Sequence, residues 1–422
     1  MIFSLNWQTR RARFSFSRRD VRGADAPLAS ATKDGVTLRS DLEFSVWNPD
    51  SNVSNYKLVE ADDFVIGLRS FQHGISHSAV RGIVSPAYTV LRSAGDLDPR
   101  FFKHYFRSSL LISHLANITQ GIRQGQAIDI EAFQNLPMPV PPLEEQRRIA
   151  DFLDAETARI DRLVRARESQ ISLLGQRLAQ LVDGVVAGEL EVLASIGTRV
   201  DSGNWDHGKI SRFCEVIPGY AFPSSAFVTD GSGIRLLRGV NVGVGDLVWE
   251  DVVSWDTATH PVPERFHLRV GDLVLGMDRP WISSGMRITL IDESHVPAFL
   301  LQRVACLRSK SPNINMHFVH WVLRSTQFRL GVESEMTGVS VPHLSGEQIG
   351  SFTFSLPTLD EQKRLAASLE HHDSSTRRLQ AAMTKQVSLL TERRQALITA
   401  AVTGQFDVST ASGRNVTDGV TA

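Results

Sequence analysis

The chain has 422 residues, 42% of them hydrophobic and 22% charged, with a formal net charge of −1; this is an ordinary globular balance, with length enough for more than one core. Two cysteines, Cys214 and Cys306, exclude a disulfide framework and a cysteine-based zinc site. No apolar run has the length of a membrane span and the N-terminus lacks the apolar core of a signal peptide, so a reducing cytoplasm with both thiols buried is expected.

In chain order, residues 1–140 read as a first globular segment. Arg10, Arg11, Arg13, Arg18, Arg19 and Arg22 stand near its start against Asp20 alone, which is either a solvated arm or a local basic patch. Strand-like runs follow at 61–70 and 82–92, and an apolar-periodic helix at Arg100–Ala116. The segment closes with Gly121-Ile-Arg-Gln-Gly-Gln. A long helix is expected in 141–192 and a linker in 193–207. A second globular segment covers 208–356, with strands at 234–242, 271–277 and 300–308 and a helix at Met316–Leu330. A second long helix falls in 357–408 and a tail in 409–422.

The two long-helix segments are copies of one another. At a constant offset of 216 and without a gap, 19 of 52 paired positions are identical, among them Glu145/Glu361, Gln146/Gln362, Leu163/Leu379, Leu174/Leu390 and Gly188/Gly404. Ile149, Leu153, Ile160, Leu163, Leu174, Leu178, Leu181 and Val185 form a narrow apolar stripe, as do Leu365, Leu369, Thr376, Leu379, Met383, Leu390, Leu397 and Ala401. Such a stripe is a coiled-coil seam, and two copies on one chain most economically pair with each other. Thr358 and Glu361 make a capping box, Pro141–Pro142 bars helix upstream, and Gly188 and Gly404 end the patterns. About 45 residues make each a rod of roughly 65 Å.

The globular segments correspond more weakly. Asp62–Gly67 matches Gly271–Gly276, and residues 101–109 match 317–326. The expected architecture is therefore a mixed α/β (α+β) chain ordered domain–helix–domain–helix, an internal duplication with a pseudo-two-fold. Rods that diverge less than the domains suit a shared partner for the rods and different targets for the domains.

No catalytic pattern is evident. There is no phosphate-binding GxxxxGK[ST] loop. Asn48-Pro49-Asp50-Ser51 lacks the second proline and the aromatic of an amino-methyltransferase motif, and reads as a turn. The glycines of 239–245 are not spaced as GxGxxG, and His73 and His77 have no helix to align them for a metal. His371–His372 lies on a rod and reads as solvated.

Pro141-Pro142-Leu143-Glu144-Glu145-Gln146 and Pro357-Thr358-Leu359-Asp360-Glu361-Gln362, each leading into a long helix, resemble the helix entries of the specificity subunits of Type I restriction–modification enzymes. Ile217-Pro-Gly-Tyr-Ala-Phe and the block Arg69-Ser-Phe-Gln-His-Gly-Ile…Arg81-Gly-Ile-Val-Ser-Pro-Ala-Tyr are similar to their target-recognition domains. The first segment lacks a Pro-Gly-Tyr-x-Phe opening. The resemblance implies a non-catalytic chain whose two domains each read one half of a split, asymmetric target in double-stranded DNA. It implies helices that pair antiparallel, set the spacer and dock two methyltransferase subunits, with motor-nuclease subunits joining the full complex. No cofactor is expected on this chain and no membrane; S-adenosylmethionine, ATP and Mg belong to the partners.

Loops after strands that are rich in Arg, Gln, His and Ser are where base edges are read. The first-domain candidates are Arg69, Gln72, His73, His77 and Arg81, with Arg123 and Gln124 from the closing loop. The second-domain candidates are Arg235, Arg238, Asn241, Arg279, Trp281, Ser283 and Arg287, with Ser340 and His343. The alternatives are a coiled-coil adaptor whose domains bind proteins, the recognition chain of a methyltransferase-only or Type IIB-like complex, and an enzyme with an unrecognised site.

Overall fold

The computed structural model describes residues 7–42, 53–120, 127–197, 205–258, 260–333 and 342–410. The chain divides into two compact units, Met1–Ser169 with Met383–Ala422, and Gln170–Ala382. Each unit therefore combines one globular segment with part of both long helices, a grouping that differs from the one-segment-one-domain division of the sequence.

The long helices run Leu143–Ala187 and Leu359–Val402. Gly188 and Gly404, with φ of 76° and 73°, stop them in the left-handed region that favours glycine. The capping box forms: Thr358 N–H donates to Glu361 Oε2 (2.9 Å) and Glu361 N–H to Thr358 Oγ1 (3.4 Å). Within each unit the helix portions pair antiparallel. In the first, Ile149, Ala150 and Leu153 share a core with Leu397, Ile398, Ala401 and Val402, and Arg394 Nε meets Asp161 Oδ1 at 2.9 Å. In the second, Val182, Val185 and Val186 share a core with Leu365, Ala366 and Leu369, and Gln380 Nε2 donates to Ile171 O at 3.1 Å.

The seam differs from the expected stripe. Leu163 and Leu379 are 45% and 50% exposed, whereas Val164 and Gln380, one residue on, are partly buried. The buried and partly buried track steps Leu153, Thr157, Ile160, Val164, Arg167, Ile171, Leu174, Leu178, Val182 and Val185. That alternation of three and four keeps one face toward a partner helix, and it admits polar residues mid-helix that a search for leucines passes over.

Each globular segment is built on a four-stranded antiparallel sheet of the same order. In the first unit it runs Phe16–Arg19, Thr89–Ser93, Phe64–Ile66, Ser76–His77. In the second it runs Cys214–Pro218, Val304–Ser309, Leu273–Gly276, Ile288–Leu290. The registers pair Phe16 with Ser93 and Cys214 with Ser309, so Arg19–Ala24 occupies the place of Ile217–Phe222. The missing Pro-Gly-Tyr-x-Phe opening is thus a substituted segment, and the N-terminal arginines lie on the strands Gln8–Arg11 and Phe16–Arg19 and in their flanks, not on a free arm.

Several expected elements are broken by local chemistry. Ser85–Pro86 splits 82–92 into Gly82–Val84 and Thr89–Ser93. Arg303 splits 300–308 between Ala298–Leu300 and Val304–Ser309. The helix at 100–116 is two helices, Pro99–Tyr105 and Ser109–Asn117, because Ser108 caps the second through Leu111 N. Ser325 does the same between Met316–Arg324 and Thr326–Glu333 through Phe328 N. The strand Asp206–Lys209, which pairs with Thr353–Leu356, begins before the expected boundary at 208. Cys214 and Cys306 are buried free thiols.

The glutamine of each helix-entry motif fastens a globular segment to its helix. Gln146, fully buried, accepts from Asp98 N–H at 2.8 Å and donates to Pro141 O at 2.8 Å. Gln362, also fully buried, accepts from Asn315 N–H at 2.8 Å and donates to Pro357 O at 2.9 Å. Asp98 and Asn315 are themselves the N-caps of Pro99–Tyr105 and Met316–Arg324. One side chain thereby ties the N-cap of a domain helix to the backbone just ahead of a rod.

Candidate nucleic-acid interface

In the second unit the chain leaves the strand Leu273–Gly276 into a loop that contains four of the candidate residues and lies beside a fifth, His343. Arg279 is exposed and adopts φ 45°; its N–H donates to Pro342 O at 2.9 Å, and Leu344 N–H donates to Met277 O at 2.8 Å. His343 is thereby laid beside Asp278, with Nδ1 at 2.7 Å from Oδ1. Arg287 is half-buried and spends Nε on Val242 O and Nη1 on Asp278 O, each at 3.0 Å. Burial pushes its pKa down, and it ties two loops together. Trp281 packs against Phe328, with centroids 6.1 Å apart, while Ser283 is exposed at the tip of the hairpin Trp281–Ile282/Gly285–Met286.

The other second-unit candidates behave differently. Arg235 stacks over Trp249 at 4.4 Å and donates to Ser294 O. Arg238 is paired with Asp251 at 2.9 Å. Asn241 is a correction: it is buried, accepts from Arg238 N–H and donates to Val248 O and Asp251 O, so it braces a turn and offers no free edge.

Arg303 is not among the candidates named from the sequence. It lies on the turn before the strand Val304–Ser309, with φ 75°, its side chain 62% exposed and Nη1 3.8 Å from Asp278 Oδ1. Non-glycine residues in the left-handed region are disfavoured by roughly 1–2 kcal/mol. Among the described residues only Asp62, Arg279 and Arg303 are found there. Nothing local in the sequence marked Arg303, because it sits within a run that reads as one strand.

In the first unit, Arg69, Gln72 and His73 are exposed together at the short helix Ser70–His73. That helix must close on Gly74 (φ 82°), where a Cβ would meet Phe106 O at 2.1 Å. His77 turns back instead: Nε2 lies 3.0 Å from Asp62 Oδ1 and the ring packs on Phe64. Burial lowers its pKa despite that carboxylate. Arg81 is exposed but donates to Asp25 O and approaches Glu60 at 3.5 Å. Of the N-terminal arginines, Arg10 pairs with Asp96, Arg19 with Asp63 and Arg22 with Asp20, while Arg18 is exposed. Arg123, Gln124 and Ser340 lie outside the described residues, as do Asn48–Ser51. Among the described residues no group of three His, Cys, Asp or Glu side chains is arranged to hold a metal ion, and no helix is long and apolar enough to cross a membrane.

Comparison with known proteins adds to this geometry. Residues 52–173 match the model of the Type I restriction modification DNA specificity domain. The chain is 28% identical over 252 residues to the Type I restriction enzyme MjaVIII specificity subunit of Methanocaldococcus jannaschii, covering 58% of this chain and 57% of that one. It is 30% identical over 166 residues to the EcoAI specificity subunit of Escherichia coli, covering 39% and 28%. The chain spans roughly a quarter to three-fifths of the length of these curated relatives. In fold it is similar to a chain from a structure of complex assembly in a type I R-M system (TM-score 0.73, 18% identity, 96% and 100% covered). It is also similar to the HsdS subunit from Thermoanaerobacter tengcongensis (TM-score 0.52, 18% identity, 95% and 97% covered).

Proposed function

We propose that this chain, a relative of the Type I restriction enzyme specificity subunits, is the non-catalytic subunit that reads double-stranded DNA in a restriction–modification complex. Each unit reads one half of a split, asymmetric target. The two long helices hold the unread spacer constant and dock two methyltransferase subunits, and motor-nuclease subunits join for cleavage. S-adenosylmethionine, ATP and Mg are then used on the partner chains.

The observation that carries this reading is the division of labour inside each unit. The sheet order, the buried glutamine and the serine break are the same in both, whereas the exposed loops at the ends of the central strands differ: Arg69, Gln72 and His73 in one, Arg279, Ser283 and, on the turn before Val304–Ser309, Arg303 in the other. Equal frames with unequal loops suit two readers of different half-sites. A chain of net charge −1 suits base reading, with phosphate contacts shared by partners. For docking, the rods offer duplicated exposed leucines, Leu163 and Leu389 in the first unit and Leu173 and Leu379 in the second, between 45% and 59% exposed. Equivalent apolar positions on both copies suit a partner present twice.

The test is the adenine methylome of a strain carrying this chain with the methyltransferase of its genome. A bipartite motif is expected. Exchange of residues 205–356 for those of a relative, with the junction placed ahead of the strand Asp206–Lys209, changes one half of the motif and leaves the other. Loss of both halves from an assembled hybrid, or a change in neither, rejects the reading.

A further inference from the structure

We infer that Arg303 is a DNA-contacting residue of the second unit, its guanidinium aimed by a left-handed backbone and by the Asp278–His343 pair. This rests on the DNA-reading function proposed above and names a residue for it. Three observations converge. First, Arg303 adopts φ 75° on a two-residue turn, a position that glycine or asparagine fills with less strain; strain of this kind persists where the side chain is wanted. Second, the backbone there is fixed from several sides: Arg303 O accepts from Met277 N–H at 2.9 Å, Gln302 N–H donates to Tyr220 O at 2.9 Å, and Val304 enters the central sheet. The Cα–Cβ direction is therefore set by the fold and not by a flexible loop. Third, the side chain is 62% exposed, and the carboxylate it pairs with among the described residues, Asp278 at 3.8 Å, is already bound by His343 at 2.7 Å. The guanidinium is oriented by that carboxylate without being consumed by it.

Arg279, one residue from Asp278, repeats the pattern with φ 45° and an exposed side chain. Two arginines in a sparsely populated backbone region thus carry donor forks on backbone that the fold holds in place, at or beside Asp278. A planar fork of this kind takes a bidentate acceptor, which on DNA is the O6/N7 edge of guanine or a phosphate. The first unit has no counterpart: in register, Ala87 stands where the second has Arg303. The contact is accordingly specific to one half-site.

The test uses the full-length chain assembled with the methyltransferase of its genome, with Arg303→Gly and Arg303→Lys variants. Arg303→Gly relieves the backbone and removes the fork, so its Tm equals or exceeds that of the parent, while affinity for the cognate duplex falls at least tenfold. If the acceptor is guanine, Arg303→Gly and Arg303→Lys both relax one base position in the second unit's half of the motif and leave the other half intact. If it is phosphate, Arg303→Gly weakens binding to all sequences and lowers the salt slope by about 1, and Arg303→Lys restores most of the binding. A parent complex that methylates a bipartite motif, with an Arg303→Gly variant of unchanged affinity and motif, overturns this assignment alone. A parent that yields no bipartite motif overturns the DNA-reading function, and the assignment with it.

Discussion

The two units solve the same folding problem with the same frame and finish it differently. Asp63 and Asp272 occupy matching places at the start of the central strand, and both are buried. In the second unit Arg308, from the neighbouring strand, grips Asp272 with Nε at 2.9 Å and Nη2 at 2.7 Å. In the first, the matching Arg92 stays 3.7 Å away with its side chain 58% exposed, and Arg19 from the edge strand takes the carboxylate at 2.9 Å. Burial raises the Asp63 pKa all the same. A buried charge needs a partner, but the partner's strand of origin is free to change. The parts that touch the rods have no such freedom, since one glutamine must pair both with the N-cap of a domain helix and with the carbonyl just ahead of its rod.

The glutamines give the largest expected effect. Gln146→Ala and Gln362→Ala each leave a buried N–H and a buried carbonyl unpaired and should cost about 2–4 kcal/mol by urea unfolding. A loss confined to one of the two would break the equivalence of the units. Arg308→Ala, which strips Asp272 of its bidentate partner, should cost about 3 kcal/mol, as should Arg19→Ala in the first unit. Arg92→Ala should cost under about 1 kcal/mol, and a larger cost would mean that Arg19 has not taken over the role.

Acid separates the units next. Burial lowers the His320 pKa from 6.5 to about 3, and its Nε2 has no hydrogen-bond partner among the described residues. Because the folded value lies below the unfolded one, the unfolded chain binds the proton first, and stability is lost as pH falls from about 6.5 toward 3. His320→Phe should recover about 1–2 kcal/mol of stability at pH 4.5 and nothing at pH 8, read from unfolding curves at the two pH values. His104 in the first unit is also lowered by burial, but its Nε2 meets Asp154 at 2.9 Å. Burial works against the charge on Asp154, yet the hydrogen bonds of His104 and Lys103 hold its pKa below the carboxylate range. His104→Phe should therefore cost about 1 kcal/mol even at pH 8.

The smallest expected effect on stability is that of the exposed leucines. Leu163→Ala and Leu379→Ala should each shift unfolding by less than about 0.5 kcal/mol. If the rods dock partners there, the same substitutions lower co-purification with the methyltransferase, by similar amounts in the two copies.

The duplication and the ends of the long helices were legible in the sequence, because they rest on a repeated pattern and on contacts within a few residues: helical periodicity, a capping box and terminal glycines. The sequence also marked Gln146 and Gln362 as repeated, though not what they bind. Of the candidate residues it named, Arg69, Gln72, His73, Arg279 and Ser283 are exposed, as polar loops lead one to expect. It did not separate these from Asn241, which the fold turns inward to brace a turn, nor reveal Arg303, concealed in a run of strand-forming residues. Only the tertiary structure decided those, along with the seam through Val164 and Gln380 and the arginine that meets Asp63. Each depends on which distant segment lies alongside. Burial, ion pairing and backbone strain are properties of neighbours in space, and a one-residue shift in helix register or a turn within a strand changes them without altering the local pattern.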